Sequence, residues 1–308
     1  MARYILQRVI TMLVVAWVVV TLTFFMMKAL PGGPFASEKK LPEAILKNIE
    51  RRYKLDRPLM EQYFDYLKNV VVWDLGPSFK YEGRTVNDVI NKGFAVSAKL
   101  GGLSILFSLL LGVPIGVISA MRHNGILDRT ISGLAILTAA APSFVIAGLL
   151  QYFIAFKLKW LPPATWGTPK HMILPTIALC SFSLAWLIKL TRSSMLEVTN
   201  QDYVRTARAK GIPEFWVVAR HMIRNAIVPV IASVGPLTAG VLVGSFIIEY
   251  IFAIPGVGRE FVISITNRDY TVTLGMTVFY GFLLTGFTLL GDILTALVDP
   301  RVRLDKEG

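Results

Sequence analysis

Cysteine and histidine, which often supply nucleophiles, general bases and metal ligands, are scarce in this chain. The single cysteine, Cys180, lies in an apolar run, where it forms no disulfide within the chain and no cysteine-based metal site. The histidines His123, His171 and His221 are far apart, and no His-Glu-x-x-His, Gly-x-Ser-x-Gly or Gly-Lys-Ser/Thr motif is present. We therefore expect a chain that is not an enzyme, holds no metal and binds no ATP itself.

Ionisable side chains within long apolar stretches are the remaining candidates, because each costs ~2.5–3.5 kcal/mol at the centre of a membrane helix. Lys28, Lys99 and Lys189 lie near the ends of such stretches, from which a long side chain can reach the interface. Asp292 lies further inside the last stretch. Its position favours pairing with a neighbouring helix or a second subunit over contact with a substrate.

Glu249 directly precedes a segment that cannot continue a helix, because it contains Pro255, Gly256 and Gly258. A broken segment at membrane depth is tolerated where protein or a water-filled cavity covers it. We expect this segment to form part of an outer gate that Glu249 braces. Ordinary capping of a loop is the alternative, and the sequence leaves both open.

The composition indicates which elements must position these residues. Apolar residues make up 54% of the 308 residues, and only 17% are charged, against ~25% in ordinary soluble domains. The mean hydropathy is +0.57. A soluble protein of this size could not bury so much apolar surface, so the sequence predicts a membrane protein.

Six stretches reach the ~20 apolar residues that a membrane-spanning helix requires. The first is too long for a signal peptide and is interpreted as an uncleaved anchor. The sequence thus predicts an all-α, polytopic membrane protein, with spans at 9–30, 97–121, 131–156, 172–190, 228–252 and 271–298.

The net charge of +12 has two interpretations. In a soluble protein it would suggest nucleic acid, whereas in a membrane protein it marks cytoplasmic loops. With the N-terminus inside, the inner segments hold 13 Lys and Arg and the two short outer loops hold five, which favours cytoplasmic N- and C-termini and no nucleic-acid partner. The predicted regions are a tail with the first span (1–30), an outer segment (31–96), a core (97–298) with an inner loop (193–227), and a cytoplasmic tail (299–308).

The outer segment 31–96 is predicted to contain two short helices, one starting at Pro42 with Glu43 and one starting at Pro58. Proline fits the first turn of a helix, and an acidic residue suits its positive end. The segment is either a docking surface or a lid that packs on the helix bundle, and the sequence leaves both open.

The inner loop 193–227 is too polar to cross a membrane and favours two helices separated by a break at 211–213. Small residues allow a partner to approach, aromatic residues offer interface anchors, and basic residues would complement an acidic groove. A helix resting on anionic lipid is the alternative. The candidate docking residues are Arg205, Thr206, Ala207, Arg208, Ala209, Lys210, Gly211, Phe215 and Trp216.

The run from Thr206 to Gly211 resembles the EAA loop of ABC-importer permeases, in the form typical of the peptide and nickel group. Gly211 holds the glycine position of that pattern and Ala207 its last alanine. The sequence departs from the pattern at Arg205, at Thr206 and at Ile223-Arg224. Further stretches are similar to the B-type subunit of oligopeptide and dipeptide permeases, at 53–59, 62–63, 66–67, 75–79, 244–249, 254–258, 267–270 and 299–301.

This resemblance implies a type I ABC importer in a bacterial cell membrane. The chain would form half of a peptide path with a second, homologous permease. Two cytoplasmic ATPases would bind ATP and Mg, and an extracytoplasmic peptide-binding protein or lipoprotein would dock outside. A coupling helix centred on 205–215 would sit in a groove of an ATPase and act as a lever on the fourth and fifth spans.

Two other functions remain as alternatives. A permease for nickel or another small solute could use the same scaffold, although three scattered histidines build no metal path. A secondary transporter would need internal inverted repeats and ion-coupling acidic residues in mid-membrane, and no such repeat is evident.

Overall fold

The chain is described by a computed structural model that covers residues 2–29, 51 and 55–298. Apart from one isolated antiparallel bridge between Pro77 and Thr85, these residues form helices and the turns between them. π-Helical segments at Gln151–Lys157 and Val217–Met222 continue α5 and join α8 to α9. The α-helices are α1 (Ala2–Ala29), α2 (Leu59–Val71), α3 (Val86–Met121), α4 (Ile126–Ala140), α5 (Ser143–Leu150), α6 (Pro169–Thr199), α7 (Asp202–Ala209), α8 (Glu214–Trp216), α9 (Ile223–Ala226), α10 (Val228–Ile251), α11 (Val257–Thr266) and α12 (Tyr270–Val298).

Five helices of the described chain, α1, α3, α6, α10 and α12, are long and apolar enough to cross a membrane. The expected third span, one helix over 131–156, is wrong in shape: the chain bends by 102° between Ile126–Ala140 and Ser143–Lys157. Pro142 cannot continue the hydrogen-bond ladder of a helix, and it pushes the preceding residue towards extended backbone. Ala141 accordingly has φ −80° and ψ 125°. The bent pair supplies the sixth span if it is counted as one.

Helices α3 and α6 pack closely because small residues line the α3 side of their contact. A Cβ added to Gly112 would lie 2.9 Å from the Cβ of Leu187, and one added to Gly116 would lie 2.6 Å from the Cβ of Thr191. Small residues at such positions let two membrane helices approach at backbone distance. We therefore regard α3 and α6 as one unit.

The helix predicted to start at Pro58 is present as α2, which Pro58 precedes. Tyr63 on α2 is buried, and its hydroxyl lies 2.7 Å from the hydroxyl of Thr21 on α1. The helix predicted to start at Pro42 lies outside the described residues. Helix α3 starts at Val86, so the expected boundary between residues 96 and 97 falls within it.

The turn before α3 also packs on the helix bundle. The Arg84 guanidinium lies 2.8 Å from a Glu260 carboxylate oxygen on α11. Asp269, at the start of α12, accepts hydrogen bonds from the Ser78 hydroxyl and, at 3.1 Å, from the Phe79 backbone N–H. These contacts hold the described part of the outer segment against α11 and α12.

Candidate coupling and gate sites

Residues 202–226, here named the helical loop, form a compact unit after α6. Helix α7 ends at Ala209, and Gly211 follows with φ +74°, a left-handed conformation that favours glycine. Pro213 then precedes α8. The helix break predicted at 211–213 is therefore present, and the Asn225 amide donates to the Tyr203 hydroxyl at 2.9 Å, which ties α9 back to α7.

One face of the helical loop is buried against the ends of α3 and α6. Val204, Ala207, Val217 and Met222 belong to one apolar cluster with Met195 of α6. Ala207 is only 4% exposed, so it does not offer the partner surface that we expected. Its small side chain instead allows α7 to pack closely on the chain's own core.

The other face of the helical loop is exposed and carries two large aromatic side chains. Phe215 is 73% exposed and Trp216 is 55% exposed. Their ring centroids are 5.6 Å apart, with the rings 75° from parallel. The candidate docking residues that are exposed are Arg205, Thr206, Arg208, Ala209, Lys210, Gly211, Phe215 and Trp216.

An ion pair fixes the angle between α7 and α8. The Arg208 guanidinium donates to both Glu214 carboxylate oxygens, from Nε at 3.1 Å and from Nη2 at 2.6 Å. This pairing lowers the pKa of Glu214 and raises the pKa of Arg208. Two parallel hydrogen bonds give the contact a defined geometry, so Arg208 shapes the loop while Glu214 balances its charge.

A second cluster, here named the clasp, lies beside the helical loop and joins α3, α4 and α6. Asp128, 2% exposed, accepts from Arg192 Nε at 2.6 Å and from Arg192 Nη2 at 2.8 Å. The Ser119 hydroxyl donates to the same carboxylate at 2.6 Å, and the Asn124 backbone N–H donates at 2.9 Å. The clasp was missed from the sequence because its two charged residues are 64 positions apart.

The side chain of Glu249 spans the break between α10 and α11, near the end of α10 that lies away from the helical loop. Helix α10 ends at Ile251 and α11 begins at Val257, as the Pro-Gly segment predicted. Glu249 is fully buried, and one carboxylate oxygen accepts from the backbone N–H groups of Gly258 at 2.8 Å and Arg259 at 3.2 Å. These are first-turn donors of α11 that have no partner within the helix. Glu249 therefore caps the first turn of α11, and its part in an outer gate stays a prediction.

Glycine is required beside this carboxylate. A Cβ on Gly256 would lie 2.5 Å from the Ser97 hydroxyl oxygen and 2.7 Å from the carboxyl carbon of Glu249. A Cβ on Gly258 would lie 2.8 Å from the Cα of Phe246. The Ser97 hydroxyl also accepts from the Val257 backbone N–H at 3.0 Å. Helices α3, α10 and α11 therefore meet at Glu249.

Asp292 pairs with a neighbouring helix, as its position favoured. The Arg8 guanidinium of α1 lies 3.1 Å from its carboxylate on α12. Lys28, at the far end of α1, donates to the Gln62 side chain and lies over the Phe24 ring at 5.7 Å from its centroid. Lys99 and Lys189 are exposed.

Comparison with known proteins identifies the family to which the chain belongs. Residues 112–304 match the family described as binding-protein-dependent transport system inner membrane component. Residues 1–98 match a second model, which describes the N-terminal part of binding-protein-dependent transport system membrane components. The chain belongs to this family. It is therefore a non-catalytic permease subunit, embedded in a membrane.

The sequence relatives of this permease match it along its whole length. It is 47% identical over 308 residues to the dipeptide transport system permease protein DppB of Bacillus subtilis (strain 168), covering all of both chains. It is 42% identical over 305 residues to the oligopeptide transport system permease protein OppB of Salmonella typhimurium (strain LT2), covering 98% of this chain and all of the relative.

Solved structures show the fold of this permease. The MetNI methionine ABC transporter, in an inward-facing conformation, matches with a TM-score of 0.60 at 16% identity, over 68% of this chain and 96% of that one. An amino acid ABC transporter with histidines matches with a TM-score of 0.55 at 19% identity, over 68% and 94%. The expected type I ABC importer permease fold is thus confirmed. Family membership and the full-length relatives make the chain a permease subunit of a transport system.

Proposed function

We propose that this permease is the B-type subunit of a peptide importer in a bacterial cell membrane. The supporting observation is the full-length similarity, at 47% and 42% identity, to permeases of dipeptide and oligopeptide transport systems. The similarity to the dipeptide permease spans all 308 residues and so includes the outer segment. The outer segment is therefore part of the resemblance to peptide permeases, and is not an unrelated insertion.

In this proposal the permease forms a heterodimer with a second, homologous permease. Two ATPase subunits bind ATP and Mg on the cytoplasmic side, and a peptide-binding protein or lipoprotein docks outside. The charge count supports an orientation with both termini in the cytoplasm. The Arg8–Asp292 ion pair is compatible with it, because it joins the N-terminal part of α1 to the C-terminal part of α12.

The helical loop is proposed to be the coupling element that docks on an ATPase. Its Phe215 and Trp216 side chains are large, aromatic and mostly exposed, as is common for anchors of a protein interface. Arg205 and Lys210 are also exposed and add positive charge to the surface of the loop. Because the opposite face is packed against Met195 of α6, a movement of the docked loop is passed directly to that helix.

The Glu249 region is proposed to be the outer gate. The carboxylate holds the first turn of α11 across the break that ends α10, and it lies next to α3 through Ser97. Separation of these helices would have to break the two backbone hydrogen bonds at Gly258 and Arg259. Closure of the gate would re-form these hydrogen bonds, so the Glu249 side chain can stabilise the closed gate reversibly.

Uptake by intact cells tests the proposed function. In a strain that lacks this gene, we expect uptake of labelled di- to pentapeptides to fall to background and to return on complementation. Uptake of ⁶³Ni²⁺ by the same strain should not change. A loss of nickel uptake with peptide uptake intact would favour the small-solute alternative. Peptide uptake that persists after ATP depletion but stops on collapse of the ion gradient would favour a secondary transporter.

A further inference from the structure

The clasp is a charged contact in which the Asp128 carboxylate is buried and well satisfied, while the Arg192 side chain is 26% exposed. Asp128 accepts four hydrogen bonds, two of them from the Arg192 guanidinium. Replacing such a pair with apolar residues often leaves stability unchanged or raises it, whereas removing one partner is costly. A complete polar network of this kind rigidifies and specifies one arrangement. The clasp therefore fixes how α3, α4 and α6 are arranged relative to one another.

On one side, the clasp is continuous with the helical loop. Arg192 lies seven residues before the end of α6 at Thr199, which is about 10 Å along a helix at ~1.5 Å per residue. Met195, between these two positions, is fully buried among Val217 and Met222 of the helical loop. A displacement of the loop is thus carried to Arg192 through a packed, unbroken helix.

On the other side, the clasp holds α4, the first half of the bent pair. Asp128 lies in the first turn of α4, and Ser119 lies in the last turn of α3. Beyond these residues, α4 packs on α6 through Ile131, Ala135 and Ala139, whereas Leu134 and Leu137 are exposed. The charged contact therefore holds the first turn of α4 to α6, ahead of this apolar contact.

His123 completes the arrangement from the turn between α3 and α4. Its Nδ1 lies 3.1 Å from Arg192 Nη2 and accepts from it, because a guanidinium only donates. The ring is about half exposed. It orients the guanidinium without being the main partner of either charge, so we expect its removal to matter less than removal of Asp128.

We propose that Asp128 and Arg192 are positioning residues that carry movement of the helical loop into α4, so that α4 and α5 move with it during transport. The inference rests on the proposed function of the helical loop as the coupling element. Without the clasp, ATP hydrolysis would still move α6, but α4 would follow incompletely. The defect is one of coupling between ATP use and transport, with ATPase binding intact.

The test is the number of ATP molecules hydrolysed per peptide imported by the complete complex in proteoliposomes, with its binding protein and labelled peptide. We expect Asp128→Asn and Arg192→Gln each to raise this ratio by roughly fivefold or more, the lower end of typical coupling between sites. Affinity for the ATPases should remain unchanged. The double variant should be no worse than either single variant, because both remove the same contact.

Arg129→Gln is the matched control. Arg129 is adjacent to Asp128 in the sequence and exposed, so this variant removes a cation from the same turn and spares the clasp. Its ratio should equal that of the unaltered complex. Equal ratios in Asp128→Asn, Arg192→Gln and the unaltered complex would overturn the proposal.

A mechanical replacement of the clasp separates positioning from folding. In a Cys180→Ser background, Asp128→Cys and Arg192→Cys are combined and bridged with a short bifunctional thiol reagent. We expect bridging to lower the ATP-to-peptide ratio towards that of the unaltered complex. Assembled complex that bridging leaves uncoupled would refute the positioning role, even if the single variants assemble poorly. Failure of the unaltered complex to import peptide would instead refute the proposed function.

Discussion

Replacement of Phe215 by alanine is the most direct test of the exposed face of the helical loop. A phenylalanine side chain offers roughly 200 Å² of surface, and with Phe215 73% exposed a partner can bury about 150 Å² of it. At ~25 cal/mol per Å² that burial contributes about 4 kcal/mol. Alanine retains part of it, so we expect Phe215→Ala to weaken ATPase binding by about 2–3 kcal/mol, roughly 30- to 150-fold in Kd.

The assay is titration of the ATPase subunits onto the purified permease pair in nanodiscs. Phe156→Ala is the matched control, because Phe156 is also 73% exposed but lies before α6, far from the helical loop at the other end of that helix. The stability of the permease itself should change by about 0.5 kcal/mol or less, as for other surface substitutions. Unchanged affinity in Phe215→Ala, or an equal loss of affinity in Phe156→Ala, would show that Phe215 is not an anchor for the ATPase.

Three further predictions concern packing, the gate and pH. Gly116→Ala should destabilise the purified permease by about 1–3 kcal/mol through overpacking against α6, whereas Gly102→Ala, with open space around it, should leave its thermal stability unchanged. Glu249→Gln should weaken the cap on α11 and lower peptide uptake; normal uptake with normally coupled ATP hydrolysis would contradict the gate. Because Arg208 lowers the pKa of Glu214, the stability from this pair is present above the ordinary glutamate pKa near 4.5 and is lost as pH falls through the lower, folded-state pKa. Hydrogen exchange of the helical loop should therefore show constant opening free energy from pH 8 to about 5 and a decrease only at more acidic pH, and Glu214→Gln should remove that decrease.

Features that depend on local sequence could be predicted. The spans follow from the length of apolar runs, and the break before α11 follows from Pro255 and its neighbouring glycines. The turn at Gly211 followed in the same way, because glycine adopts its left-handed conformation at little cost. Such signals are contained within a few residues, so they need no knowledge of the packed chain.

Features that depend on packing could not be predicted. Ala207 was expected at a partner surface, but the side of α7 that turns inward is decided by contacts with α3 and α6. The clasp joins Asp128 to Arg192 across two helices, and neither residue has a local signal for it. Pro142 does carry a local signal, but the apolar run around it looks like one span until the 102° bend is seen.

We propose that this permease moves peptide with energy supplied by partner ATPases. The most direct measurement is accumulation of labelled peptide in proteoliposomes that contain this chain, its second permease and the ATPases, with binding protein and peptide on the permease's outer side. We expect accumulation that requires ATP on the ATPase side of the membrane and the binding protein on the other side. We also expect accumulation to persist when ion gradients are collapsed. Accumulation without ATP, or no accumulation while ATP is hydrolysed and binding protein is present, would contradict ATP-driven peptide import by this permease.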